Sequence, residues 1–285
     1  MSMSGRTASI HDRLLAKAHM SESDFNLLLI RYSLERFLYR ISASRHKDSF
    51  LLKGALLFNL WYDQPRRPTR DADLLGLELK DRDEMARIFK EICDVSCDDG
   101  MSYLADSVNA TEIREEARYG GIRIDLIGLL GPARCKVQID VGYGDAVTPA
   151  AGMASYPMLL ADNPAPFLRV YPKETVIAEK LETIVSLGIA NSRMKDYFDL
   201  SILLGESILE EDVLVSAIMQ TFARRQTSIP PGVPIGLSED FWDEKAKVSQ
   251  WRAFLTKNKL EAPSLAAVVG TIRERYLRLR ARIPG

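Results

Sequence analysis

From Asp24 to Ile41 the apolar residues Leu27, Leu28, Tyr32, Leu34, Phe37, Leu38 and Ile41 recur at helical spacing, with Arg31, Glu35, Arg36 and Arg40 between them. This periodicity predicts an amphipathic helix, capped by Ser21 with Asp24 or by Ser23 alone, within a helical first fifty residues. The pattern then shortens. FLLKG (Phe50 to Gly54) reads as an apolar strand closed by glycine, ALLFNLWY as a short helix, DQPRRPT as a loop and RDADLLGLEL as a strand. Met85, Ile88, Phe89 and Ile92 mark a helix over Asp83 to Val95. Three strands follow, at Val108 to Ile113, in GIRIDLIG and in CKVQIDVGYG.

The pattern changes after these strands. YPMLLADNPAPFLRVYP carries four prolines and reads as an irregular connector. Beyond it helices dominate: Pro172 at a first helical position opens one that runs to Leu187 and stops at Gly188, and Arg193 to Leu204 forms another. SIPPGVPIGLS is a loop before further helices, and no internal repeat is present. The expectation is an α/β domain with a mixed sheet over residues 1–165, then a mostly helical domain over 166–285.

Composition narrows the function classes. Of 285 residues 46% are hydrophobic and 27% charged, enough for a sizeable core, and the net charge of −1 carries no global signature of nucleic-acid binding. Cys93, Cys97 and Cys135 do not make a disulfide framework or a zinc cage, and His11, His19 and His46 argue against histidine-based catalysis. No signal peptide or membrane span is expected, which suggests a cytoplasmic protein.

Candidate chemistry centres on Thr69-Arg70-Asp71-Ala72-Asp73. Alternate residues of a strand share a face, so Thr69, Asp71 and Asp73 point one way, with the carboxylates about 7 Å apart. Paired carboxylates suit hard cations such as magnesium, and two such ions serve in-line phosphoryl displacement. Taken alone, a D-x-D more often marks exposed aspartates beside a turn. Its surroundings change the balance. Lys53-Gly54 ends a strand immediately before a helix, where free N–H groups can meet phosphate and glycine permits close approach. Asp140, in Val137-Gln138-Ile139-Asp140-Val141, puts another carboxylate among apolar neighbours, and Asp125 competes for the same role.

Strand, glycine turn, helix, D-x-D strand and a later strand carboxylate together resemble the polymerase-beta-type nucleotidyltransferase core. More closely, LLKGALLFNLW with PTRDADLLG, then VQIDVGYGD and YPKETVIAEKLETIVSLGIANSRMKDYFDL, resemble the AbiEii/AbiGii-type nucleotidyltransferase toxins of bacteria. With TFARRQT and WRAFL, the resemblance covers most of residues 50 to 255. It implies Asp71 and Asp73 as the metal pair, with Asp140 as the third core carboxylate. Thr69 corresponds to a hydroxyl residue that is phosphorylated in some relatives. Lys180 and Asp196 correspond to the essential lysine and aspartate of the helical half. Ala55 stands where relatives place glycine or serine, which removes a hydroxyl contact to phosphate but keeps the backbone N–H groups.

In the helical half Ile177, Leu181, Ile184 and Val185 form a packing stripe that Lys180 flanks, so a lysine paired with Glu179 or Glu182 in solvent is the plain alternative. Asp196 and Asp199 share a helical face and read equally as ordinary ion-pairing residues. Arg66, Arg67 and Arg70 cluster beside the D-x-D, with further arginines at Arg224-Arg225 and in RERYLRLRARIPG. The resulting expectation is magnesium-dependent transfer from a nucleoside triphosphate, with Lys53, Gly54, Thr69 and Lys180 holding the nucleotide. Arg66, Arg67 and Arg70 would hold an RNA acceptor, the tRNA 3′ end being the leading candidate, and a separately encoded antitoxin would be the partner. The alternatives are an antibiotic-type small-molecule nucleotidyltransferase and a non-catalytic nucleotide-binding regulator.

Overall fold

The computed structural model describes residues 5–62, 67–113, 120–205 and 209–284. Most of the DQPRRPT loop, including Arg66, therefore lies outside the described residues. By chain contacts there are two compact units, residues 1–144 with 152–170, and residues 145–151 with 171–285.

The first unit opens with α1 (Gly5–Met20) and α2 (Phe25–Ala43). Asp24 caps α2, accepting from the Leu27 N–H at 2.9 Å, so neither serine is the cap. α2 buries Arg36 and Arg40 as well as its apolar stripe. Asp99 explains this: Arg36 Nε donates to its Oδ2 at 2.7 Å, and Arg40 reaches both carboxylate oxygens at 2.7 and 3.0 Å. The polar positions between the apolar ones thus face a buried anion instead of water, which periodicity cannot foresee.

β1 (Phe50–Lys53) leads through a 3-10 turn (Gly54–Leu57) into α3 (Phe58–Trp61) and then β2 (Asp71–Gly76). α4 (Arg82–Cys93) is capped by Asp81, and β3 (Met101–Ile113), β4 (Gly121–Leu130) and β5 (Ala133–Tyr143) follow. The proline-rich connector is less irregular than expected: β6 (Gly152–Ser155) pairs antiparallel with β7 (Phe167–Val170), which joins β1 in parallel and carries the first unit past residue 165. The seven strands run in the order β3-β4-β5-β2-β1-β7-β6. One face, with Leu52, Ala72, Leu74, Ile122, Ile124, Ile139 and Val141, is fully buried. Phe37 of α2 and Phe89 of α4 meet Tyr103 and Phe50 over it, at ring distances of 4.9 and 5.8 Å. The other face carries the polar residues of the candidate site.

The second unit is mainly helical: α5 (Lys173–Leu187), α6 (Met194–Leu204), α7 (Glu211–Arg224), α8 (Glu239–Trp242), α9 (Lys245–Asn258) and α10 (Leu265–Arg280). Pro172 is the residue before α5 rather than its first turn. Residues 145–151 belong here because Thr148 exchanges two 2.8 Å hydrogen bonds with Thr175, and Asp145 pairs with Arg225 at 3.0 Å. Among the described residues no helix is long and apolar enough to cross a membrane.

Candidate active site

Strand register decides which side chains meet. β2 pairs antiparallel with β1 and parallel with β5, and β5 pairs antiparallel with β4. Lys53, Asp73, Asp140 and Arg123 therefore stand opposite one another across four strands. One step along, Asp71, Gln138 and Asp125 form a second row on the same face. All seven are half-buried, whereas the intervening residues Ala72, Ile139 and Ile124 are buried on the far face. The result is a polar ribbon crossing the four strands β1, β2, β5 and β4.

Gly54 is held where its neighbour can carry a carboxylate. Its φ of +72° lies in the left-handed region, and a Cβ there would fall 1.9 Å from Asp73 Oδ2. Backbone and carboxylate thus approach more closely than any other residue type allows. Thr69, just before β2, donates its hydroxyl to Asp71 Oδ1 at 2.7 Å and fixes that carboxylate's orientation.

Both contenders for third carboxylate already hold a cation. Arg123 binds Asp140 in a fork, Nε to Oδ1 at 2.8 Å and Nη2 to Oδ2 at 2.7 Å, while Lys136 lies 3.0 Å from Asp125. The bond to Asp140 raises the Arg123 pKa, and the charge of Asp71 adds to the effect. Among the described residues no group of three or more His, Cys, Asp or Glu side chains is assembled around one point. Asp71 and Asp73 offer the hard oxygen donors a magnesium ion takes, and Asp140 can join them once Arg123 lets go. Arg123 had escaped the sequence reading although a signal existed. β4 and β5 are joined by the turn Gly131-Pro132, and counting back from it sets Arg123 opposite Asp140.

In the second unit Lys180 is not a solvated lysine. Its Nζ donates at 2.8 Å to both Asp196 Oδ1 and Asp199 Oδ2, and Arg193 Nε donates to Asp196 Oδ2 at 2.7 Å. The lysine side chain is 14% exposed and the two aspartates 2% and 0%. Burial works against the Asp196 charge, but Lys180 and Arg193 outweigh it and hold its pKa well below the usual carboxylate range. These are buried ion pairs, not the surface pairs that helical spacing alone suggests.

A family profile described as "Nucleotidyl transferase AbiEii toxin, Type IV TA system" matches residues 36–274. The chain belongs to this AbiEii family. An AbiEii toxin is a nucleotidyltransferase, which takes a nucleoside triphosphate as donor and has an antitoxin as partner. The crystal structure of JHP933 from Helicobacter pylori is similar, with a TM-score of 0.50 at 13% identity, over 99% of this chain and 95% of that one. A candidate nucleotidyltransferase from H. pylori gives 0.47 at 14% identity, over 88% and 93%. At these identities the first likeness speaks for the fold alone and the second carries no weight. No curated protein matches.

The basic surface of this AbiEii chain is smaller than its arginine count suggests. Arg225 is tied to Asp145 and Glu182 at 3.0 and 2.9 Å. Arg275 and Arg282 both pair with Glu211, and Arg280 donates to the Pro230 and Ile283 carbonyls. Those arginines hold the helices together. Beside the D-x-D, Arg70 is exposed and Arg67 half-buried.

Proposed function

We propose that this AbiEii chain transfers a nucleoside monophosphate from a nucleoside triphosphate to an RNA hydroxyl, the tRNA 3′ end being the leading acceptor. The observation that carries the chemistry is the ribbon: Asp71 and Asp73 share a face beside the Gly54 turn, with Asp140 in register against Asp73. Asp71, Asp73 and Asp140 would hold magnesium, which supplies charge neutralisation for the attacking and leaving oxygens when bound. Thr69 orients Asp71, and the Lys53-Gly54 backbone admits phosphate closely. Asp140, once released, would also accept the hydroxyl proton. The second unit, residues 145–151 with 171–285 instead of the expected 166–285, acts as the second domain in this reading. There Lys180, anchored by Asp196, steadies the triphosphate.

Support for an RNA acceptor is Arg70 and Arg67 beside these carboxylates, with Arg66 in the same stretch of sequence; a polycationic antibiotic would call for the opposite sign. Labelled triphosphate offered with total RNA, with an aminoglycoside panel and with no acceptor is expected to label RNA at the tRNA 3′ end. RNA affinity should fall with salt by about 0.7 log units per log unit for each phosphate bound, and Arg70→Ala should flatten that slope. Label confined to a small molecule would establish the antibiotic-type reading, and no transfer at all the non-catalytic one.

Arg123 sets the state of Asp140, and manganese binding followed by electron paramagnetic resonance reads this directly. Arg123→Gln is expected to tighten Mn2+ binding roughly tenfold, about 1.4 kcal/mol, as a freed carboxylate becomes available. Adding Asp140→Asn should cancel the gain. Equal affinity in the Arg123→Gln and unchanged chains would remove Asp140 from the metal set.

A further inference from the structure

A cleft of about 480 Å³ lies in the first unit away from the ribbon, with Lys17, Arg31, Asn59, Trp61, Tyr62 and Ser155 in its lining. Lys17 is exposed on α1 and Arg31 half-buried on α2, and neither forms a salt bridge among the described residues. Behind the lining Glu35 accepts from the Leu159 N–H at 2.7 Å, and burial pushes its pKa up to about 7. Even with that group ionised, two cations face one anion. The lining is also aromatic and braced: Phe58 packs on Trp61 and Tyr62 at ring distances of 5.6 and 5.8 Å. Asn59 is fixed by its 2.6 Å hydrogen bond to the Tyr156 hydroxyl.

Cations beside flat rings are the means by which proteins hold single-stranded nucleic acid, the cations taking phosphate and the rings stacking a base. The volume suits a small ligand or a single nucleotide. We propose that the cleft is a subsite for one nucleotide of the acceptor RNA, with its phosphate on Lys17 and Arg31 and its base against Trp61 and Tyr62. This rests on the RNA-acceptor reading above and adds where the strand runs. The segment from Gly54 to Trp61 spans at most about 12 Å, so a strand whose end reacts at the carboxylates places a nucleotide a few positions upstream in the cleft.

Fluorescence anisotropy of a fluorescein-labelled single-stranded oligoribonucleotide with the full chain tests this. Trp61→Ala is expected to weaken binding at least about fivefold, as loss of one stacked base does. Lys17→Glu, at an exposed helix position, should weaken it further and lower the salt slope by about 0.7. If the unchanged protein binds the oligoribonucleotide and both variants match it in affinity and slope, the subsite is wrong while the RNA reading stands. If the unchanged protein binds no RNA, the RNA reading falls and takes the subsite with it. If Lys17→Glu loses the antitoxin while its RNA affinity is unchanged, the cleft holds protein and the proposal is overturned.

Discussion

A chain carrying Asp73→Asn is expected to lose at least about a hundredfold in nucleotidyl transfer while melting close to the unchanged protein. The substitution keeps the shape of the side chain and removes one negative charge from a half-buried ribbon, so a melting curve separates lost chemistry from a lost fold. Catalysis should suffer, because a neutral amide is a weaker magnesium ligand than a carboxylate and offsets none of the ion's charge. Gly54→Ala should approach the same phenotype by another route, since its new Cβ meets Asp73 Oδ2 and the backbone there has φ of +72°. Chelation with EDTA should abolish transfer in the unchanged chain, and added magnesium should restore it. Full activity in Asp73→Asn, or indifference to EDTA, would end the metal account.

Lys180→Ala is expected to destabilise the second unit by roughly 3–5 kcal/mol, the usual result of removing one partner from a buried ion pair. Asp196 keeps Arg193, but Asp199, 0% exposed, loses the ammonium 2.8 Å away. Urea denaturation would report the loss as a lower midpoint. Loss of activity in Lys180→Ala alone therefore says nothing about contact with the triphosphate. The informative chain combines Lys180→Met with Asp199→Asn, which removes the buried charge that faced the ammonium and should recover much of the stability. Triphosphate binding that stays lost in that stable background assigns Lys180 to the nucleotide. Binding that returns assigns it to the fold.

Much of the sheet could be read from the sequence because its central strands alternate cleanly, and the parity of Asp71 and Asp73 followed from that alternation. The edges were less legible. β3 begins at Met101, well before Val108, because an irregularity in pairing between Leu104 and Asn109 breaks the alternation. β6 and β7 are four residues each, too short for a period to show. Site contacts resting on register between distant strands were out of reach, as with Asp140 against Asp73. Helical spacing identified Asp196 and Asp199 as neighbours, but nothing in a local pattern tells a buried pair from a solvated one. The arginines misled for the same reason: charge counts do not reveal that Glu211 holds Arg275 and Arg282.

The strand order also has a consequence for synthesis. β1 and β2 are made first yet sit in the middle of the sheet, flanked by β5 on one side and β7 on the other. A nascent chain that has just extruded Gly76 carries its D-x-D on a strand with one neighbour. It must wait for Val170 before the sheet is filled, roughly 5–20 s at ordinary elongation rates. Ribosomes halted before Tyr143, the end of β5, release fragments without the assembled ribbon, so a message truncated ahead of that point is expected to be harmless to the cell that makes it.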